Sequence, residues 1–167
     1  MEGPLDQVAA WPARTAAVAV TSAAGLVASH GPLDLPFAWA SVTKLLTTLA
    51  ALDTVQRGLL DLGEPAGPPG ATVRHLLAHA SGLAPNSDAI LSKPERQRIY
   101  SNRGIEIAAQ ITAARAAKPF EVLLAEEVCL PLGLRHTRLQ GSPSRGAAGP
   151  LSDLVALARE LLSPSLV

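Results

Sequence analysis

Ser41, Lys44, Tyr100 and Asn102 have the types and spacing for acyl-transfer chemistry. Ser41 and Lys44 stand three apart in Ser41-Val42-Thr43-Lys44. On a helix, residues three apart are neighbours on one face, so the lysine amine can reach the serine hydroxyl. A serine hydroxyl is a weak nucleophile until a base takes its proton. A desolvated lysine, its pKa pushed down by burial, can be that base. At a helix start, free N–H groups and the helix dipole also favour developing negative charge. The pattern S-x-x-K is short, and by itself it fits a capping serine beside a solvated lysine better than a nucleophile. Lys44 flanks the apolar stripe of a strongly hydrophobic segment, which favours partial burial. The second group is Tyr100-Ser101-Asn102, with the only tyrosine of the chain. A phenol near Ser41 would relay a proton, and an asparagine amide can bond both a substrate amide and a neighbouring amine. Read alone, this segment fits better a turn whose serine and asparagine cap the next helix.

Other reactive side chains offer less. His75 and His79 are four apart, as in H-E-x-x-H, but the sequence is HLLAH. The glutamate is missing and no nearby carboxylate or cysteine presents a third ligand, so no metal is expected. Cys129 is the only cysteine, which rules out an internal disulfide. It lies in the apolar run EEVCLPLGL, where Glu126 and Glu127 oppose a thiolate, and it reads as a small buried hydrophobe. His30 and His136 read as loop residues. There is no G-x-S-x-G elbow for a Ser-His-Asp triad. Phosphate-cradling glycine loops are also absent, and no cofactor is expected.

The elements that must position the chemistry follow from patterning. Residues 15–30 form two short runs around Ser22-Ala23-Ala24-Gly25 and read as a β-hairpin, despite much alanine. GPLDLP, 31–36, is a breaker-rich loop. In 41–57, Val42, Leu45, Leu46, Leu49 and Leu52 recur at helical spacing, with Ser41 at the N-cap or first turn and Gly58 as the stop. Thr72 caps a short helix, VRHLLAHA, stopped near Gly82. Residues 84–99 are irregular. A helix is expected over 104–117, and Pro119 opens another through Val128. GSPSRGAAGP, 141–150, reads as a flexible loop, and Ser152 or Asp153 caps a last helix, DLVALARELL. The outcome is lopsided: two strands, then helices, and no later strand. A lone hairpin is marginal in water, which suggests that something C-terminal is missing.

Composition narrows the function classes. With 48% hydrophobic and 17% charged residues, the chain is not wholesale disordered. Aromatics are only 3%, so the core must be built from Ala, Leu and Val. The formal net charge of zero argues against a nucleic-acid or membrane-surface partner. The N-terminus, with Glu2 and Asp6, lacks the basic and apolar regions of a secretory leader. No apolar run approaches the roughly 18 residues that span a bilayer. A cytoplasmic location is therefore expected.

Taken together and in order, S-x-x-K and Y-x-N resemble the motifs of the serine β-lactamase and penicillin-binding protein family. Y-x-N marks the branch of class C β-lactamases and D-Ala-D-Ala peptidases. Flanking segments agree: FAWASVTKLLTTLAAL resembles the nucleophile helix, and TVRHLLAHASGL resembles the family's LLTHTSGL. IYSNRGIEIAAQI, CLPLGLRHT and GAAGPLSDLVALAREL resemble the segments that follow. The resemblance covers residues 15–162, yet only the first part of the family's domain. It implies an α/β (α+β) fold of the β-lactamase/transpeptidase type. This would be a single incomplete domain over 1–167, with strands in 15–30, a nucleophile helix at 41–58 and a helical region at 72–162. It also implies roles. Ser41 attacks a carbonyl and Lys44 with Tyr100 manages the protons. Asn102 orients substrate, the Ser41 N–H forms half of an oxyanion hole, and water releases the acyl-enzyme.

The family's third element, K-T-G or H-x-G, does not occur. In the family its strand also supplies the second oxyanion donor, whose loss costs roughly 10²–10³ in rate. The expectation is a hydrolase of a small-molecule amide or ester, impaired by truncation. The alternative is an inactive fragment or binding remnant, since a cut sheet leaves edges that recruit other chains. A complementing C-terminal half is the candidate partner.

Overall fold

The computed structural model describes residues 3–167. Met1 and Glu2, which enter the leader reading and the span 1–167, lie outside the described residues. The expected hairpin is present: β1 (Val18–Ser22) and β2 (Gly25–His30) pair antiparallel, with a bulge between Val20 and Thr21. His30 closes β2 and faces Asp6 at 3.1 Å, so it is a strand residue rather than a loop residue.

Helix α1 runs Thr43–Gln56 and begins after Ser41, not at it. A 3₁₀ turn, Ala40–Val42, leads in. Ser41 is therefore not the cap. Its hydroxyl stays free for other work, while the Thr43 hydroxyl donates to the Ala40 carbonyl at 2.6 Å. Residues three apart eclipse one another in a 3₁₀ turn, so the Ser41–Lys44 spacing keeps its meaning. Ala40 sits at φ 45°, a left-handed conformation that is uncommon for a side chain with a Cβ. Leu45, assigned to the apolar stripe, is exposed, whereas Thr43, Lys44, Thr47 and Thr54 are buried with Leu46, Leu49, Ala50 and Ala51. Burial wraps most of α1 because neighbours flank it on both sides, and the polar residues among these are satisfied by bonds to backbone carbonyls and side chains.

Helix α2 (Val73–Leu77) is preceded by Thr72, as expected. Its cap is unusual: the Thr72 N–H donates to Nδ1 of His75 at 3.0 Å. Helix α3 (Asn102–Ala116) starts two residues before Gly104, because Ser101 caps it by accepting from the Gly104 N–H at 3.0 Å. Helix α4 (Phe120–Leu124) opens after Pro119 and passes into a π turn, Ala125–Cys129. Helix α5 (Leu151–Leu162) closes the chain. Neither expected residue caps it. Asp153 is buried and accepts instead from the His136 N–H and the Thr137 hydroxyl, both at 2.9 Å, tying α5 to the segment before it.

The expectation that no strand follows the hairpin is overturned. A second, three-stranded antiparallel sheet has the order β3-β5-β4, from Pro36–Ala38, Ala147–Pro150 and Arg138–Leu139. Strand β5 thus lies within the segment read as a flexible loop, and β3 begins at the last residue of the one read as a breaker-rich loop. These strands are two to four residues long and rich in Ala, Gly and Pro, which carry little strand signal. Tertiary bonds hold β5 in place. Trp39 donates its indole N–H to the Gly149 carbonyl and its backbone N–H to the Ala147 carbonyl, both at 2.9 Å. Position 149 must be glycine: a Cβ there would stand 2.5 Å from the Thr137 hydroxyl and 3.0 Å from the Trp39 ring.

Two apolar clusters meet at α1. One joins Leu46, Leu49 and Ala50 to Trp39, Ala109, Phe120, Leu123, Leu134 and Leu157. The other joins Ala51 to Val73, Leu76, Leu83 and Ala108. Both are chiefly Leu, Ala and Val, as composition demanded. Among the described residues, no helix is long and apolar enough to cross a membrane.

Candidate active site

The four sequence-selected residues converge. Lys44 is nearly buried and donates three bonds from one nitrogen: to Ser41 Oγ at 3.1 Å, Asn102 Oδ1 at 2.7 Å and the Ser144 carbonyl at 2.8 Å. Ser41 itself is exposed. Asn102 is the first residue of α3, and its NH₂ donates to Asn86 Oδ1 at 2.7 Å, which fixes the way the amide faces. An amide NH₂ has two hydrogens, so one remains for a ligand. The Tyr100 ring lies 4.6 Å from the Lys44 nitrogen, in cation–π range, and is half exposed. The polar interaction with Lys44, then that with Ser41, holds the phenol below its ordinary pKa.

The turn that carries Tyr100 and Asn102 is fixed from beneath. Ile99 N–H donates to the His79 carbonyl at 2.9 Å, and Ser101 N–H to His79 Nδ1 at 3.2 Å. The Ser101 hydroxyl donates to the Ala84 carbonyl at 2.7 Å. The His79 ring lies 4.6 Å from the Tyr100 ring, centre to centre. Burial, then the charges of Lys44 and Arg98, push the His79 pKa down. A neutral ring fits its place, since Nδ1 must keep a lone pair for Ser101. Gly82, in the stretch between His79 and Ala84, has φ 86°, a conformation that favours glycine.

His75 and His79 do not share a site. His75 Nε2 faces Glu95 at 2.9 Å, so a carboxylate does come near, contrary to the sequence reading, but from an exposed residue twenty positions away. Among the described residues, no cluster of three or more His, Cys, Asp or Glu comes together to hold a metal. Cys129 is buried, and burial pushes its thiol up to about 11, so it is inert packing.

Sequence reasoning missed Ser144, Asn86 and His79 as parts of this site. Ser144 contributes a backbone carbonyl, which has no side-chain signature. Asn86 lies in a stretch without periodicity, and His79 was weighed only as a metal ligand.

The arrangement joins an accessible serine hydroxyl, a buried amine in contact with it, a phenol and an oriented amide. The Beta-lactamase family model matches residues 8–152. The chain belongs to this family. A crystal structure of a β-lactamase from Mycobacterium bovis is 46% identical, with TM-score 0.95, over 98% of this chain and 61% of that one. The D-alanyl-D-alanine-carboxypeptidase/endopeptidase AmpH of Escherichia coli is 26% identical over 150 residues, 68% of this chain and 39% of that protein. A D-stereospecific amidohydrolase from a Streptomyces species, 18% identical with TM-score 0.82, covers 98% of this chain and 72% of its own, and speaks for the fold alone. This β-lactamase-family chain thus spans under two thirds of the length of the M. bovis and E. coli proteins.

Proposed function

We propose that this chain carries the nucleophile half of a serine hydrolase site that acts on a small amide or ester through an acyl-enzyme at Ser41. Ser41 Oγ attacks the carbonyl carbon as its proton passes to the Lys44 amine. For this step the amine carries two hydrogens, donated to Asn102 Oδ1 and the Ser144 carbonyl, and turns a lone pair to Ser41, while the Tyr100 hydroxyl relays the proton onward. The leaving amine or alcohol takes that proton as the C–N or C–O bond breaks. Water then adds to the acyl carbonyl, giving its proton to the same base, and Ser41 is released protonated. Asn102 presents its remaining N–H to the substrate, and the Ser41 backbone N–H meets the developing oxyanion. The carrying observation is the Lys44 nitrogen at 3.1 Å from Ser41 Oγ, with Asn102 on the same nitrogen. Relatives whose names state D-alanyl-D-alanine carboxypeptidase and β-lactamase activities support an amide or ester as substrate. Turnover by this chain alone is expected to be weak, because no K-T-G or H-x-G element occurs in its sequence.

A partner polypeptide belongs to this reading. Among the described residues, β1 and β2 pair only with each other, and Leu26 and Val27 on β2 are exposed, so a chain adding strands would find both edge and apolar surface.

The test is intact-protein mass after incubation with a fluorophosphonate and, separately, a penicillin, with Ser41→Ala as control. A mass increment lost in the mutant is the expected result. A folded, soluble parent that takes neither reagent would replace this reading with an inactive, binding-only one.

A further inference from the structure

We propose that Glu106 is a positioning residue for Lys44, acting through the loop 141–147; the proposal deepens the serine-hydrolase reading and rests on it. The Lys44 amine has only three hydrogens, and one of its three acceptors is the carbonyl of Ser144, a residue with no exposed surface. Where that carbonyl stands helps decide where the amine stands relative to Ser41.

The loop is gripped from two sides. From α3, Glu106 Oε1 accepts from the Ser142 hydroxyl at 2.6 Å and from the Ser144 hydroxyl at 3.3 Å. The two hydroxyls also face each other at 2.8 Å, and the Ser144 N–H donates to Ser142 Oγ at 3.1 Å. From α1, the Thr47 hydroxyl donates to the Pro143 carbonyl at 2.6 Å. Glu106 lies one helical turn beyond Asn102, and Thr47 nearly one turn beyond Lys44. The same two helices that bring Asn102 and Lys44 together therefore also hold the loop that completes the amine's set of acceptors. Glu106 is the only charged member of the grip, and bonds to a carboxylate are the stronger kind. Within the loop, the Arg145 and Gly146 N–H groups donate to the Ser142 carbonyl at 3.0 and 2.7 Å, so its turn is closed locally and the grip from α1 and α3 sets where that turn stands.

The experiment compares parent, Glu106→Ala and Glu106→Gln in the full chain. Two quantities are read at a temperature where all three are folded: the rate of fluorophosphonate acylation at Ser41, and the NMR signal of the Lys44 side chain in protein labelled at lysine. Lys44, Lys93 and Lys118 are the only lysines, so the signals resolve by substitution. Glu106→Ala is expected to slow acylation by about 10–100-fold, the scale of small misplacement of a reacting group. It should also move the Lys44 signal while leaving Lys93 and Lys118 in place. Glu106→Gln, whose Oε1 still accepts from both hydroxyls, should restore both readouts. Glu106→Ala with parental acylation and an unmoved Lys44 signal would overturn the proposal, as would Glu106→Gln behaving like Glu106→Ala. If the parent takes no label, the hydrolase reading fails, and the Lys44 signal alone still decides whether Glu106 positions the amine.

Discussion

The site and the hairpin are held together by opposite means. At the site, the contacts are long-range: Lys44 reaches Asn102 across 58 positions and Ser144 across 100, and the Ala147 N–H reaches the Thr43 hydroxyl across 104. Among the described residues, no buried side-chain nitrogen or oxygen lacks a partner. In the hairpin, β1 and β2 are joined by a short turn and, among the described residues, pair with each other alone, with Val27 66% exposed. The site's geometry is thus a property of the whole packed body, whereas the hairpin is a local structure laid against α5. Perturbing the first should cost activity and stability together. Perturbing the second should cost neither in the isolated chain.

The sharpest break of this contrast is chemical. Ser41→Ala should abolish covalent labelling entirely. Lys44→Ala should lower the labelling rate by about 10²–10⁴, the usual contribution of a positioned proton acceptor, and it leaves Asn102 and the Ser144 carbonyl without their donor. Time-resolved mass measurement checks both. Labelling of Lys44→Ala at the parental rate would separate the observed contact from any role in activating Ser41.

Next comes packing. Leu46 has no exposed surface and lies in the cluster that joins α1 to Trp39, Leu123 and Leu157. Leu46→Ala should cost about 2–5 kcal/mol, measured by urea unfolding. Because the site depends on α1 staying against α3 and the 141–147 loop, labelling should fall with stability. Full labelling in an unfolding-prone variant would show that the site is more local than its bonds suggest.

A smaller effect concerns His79. Its folded-state pKa is held below the ordinary histidine value by burial, Lys44 and Arg98. The unfolded chain therefore binds that proton more readily, and stability should be full above about pH 6.5 and decline as pH falls below it. Protonation would take the Nδ1 lone pair from the Ser101 N–H and loosen the turn that carries Tyr100 and Asn102. Unfolding curves between pH 7.5 and 5.5 should slope more steeply for the parent than for His79→Gln. Equal slopes would remove His79 from the account.

The sequence disclosed much of the site because four of its parts are side chains in short motifs whose chemistry is legible by type. Ser41, Asn102 and Tyr100 gather around Lys44. The hairpin was visible because two short runs flank Ser22-Ala23-Ala24-Gly25, despite their alanine. Hidden were strands β3, β4 and β5, where Trp39, Thr43 and Gly149 impose an extended backbone on residues with little preference for it. Hidden too was the Ser144 carbonyl, since every residue has one and only the fold aims it. The start of α1 was misplaced for a related reason. Ser41 looks like a cap, but the turn before α1 leaves its hydroxyl to Lys44.

The smallest effect tests the hairpin. Val27 is exposed on β2, and Thr is also β-branched, so Val27→Thr should keep the strand and change stability by no more than about 0.5 kcal/mol. Labelling at Ser41 should be unchanged, since no site bond passes through β2. Val27→Lys should behave the same way in the isolated chain, while placing a charge on the exposed surface proposed for a partner. If light scattering shows that the parent self-associates at high concentration, Val27→Lys should reduce it. A loss of stability near that of Leu46→Ala would mean that β2 is packed into the same cooperative body as the site, and the contrast between the two regions would collapse.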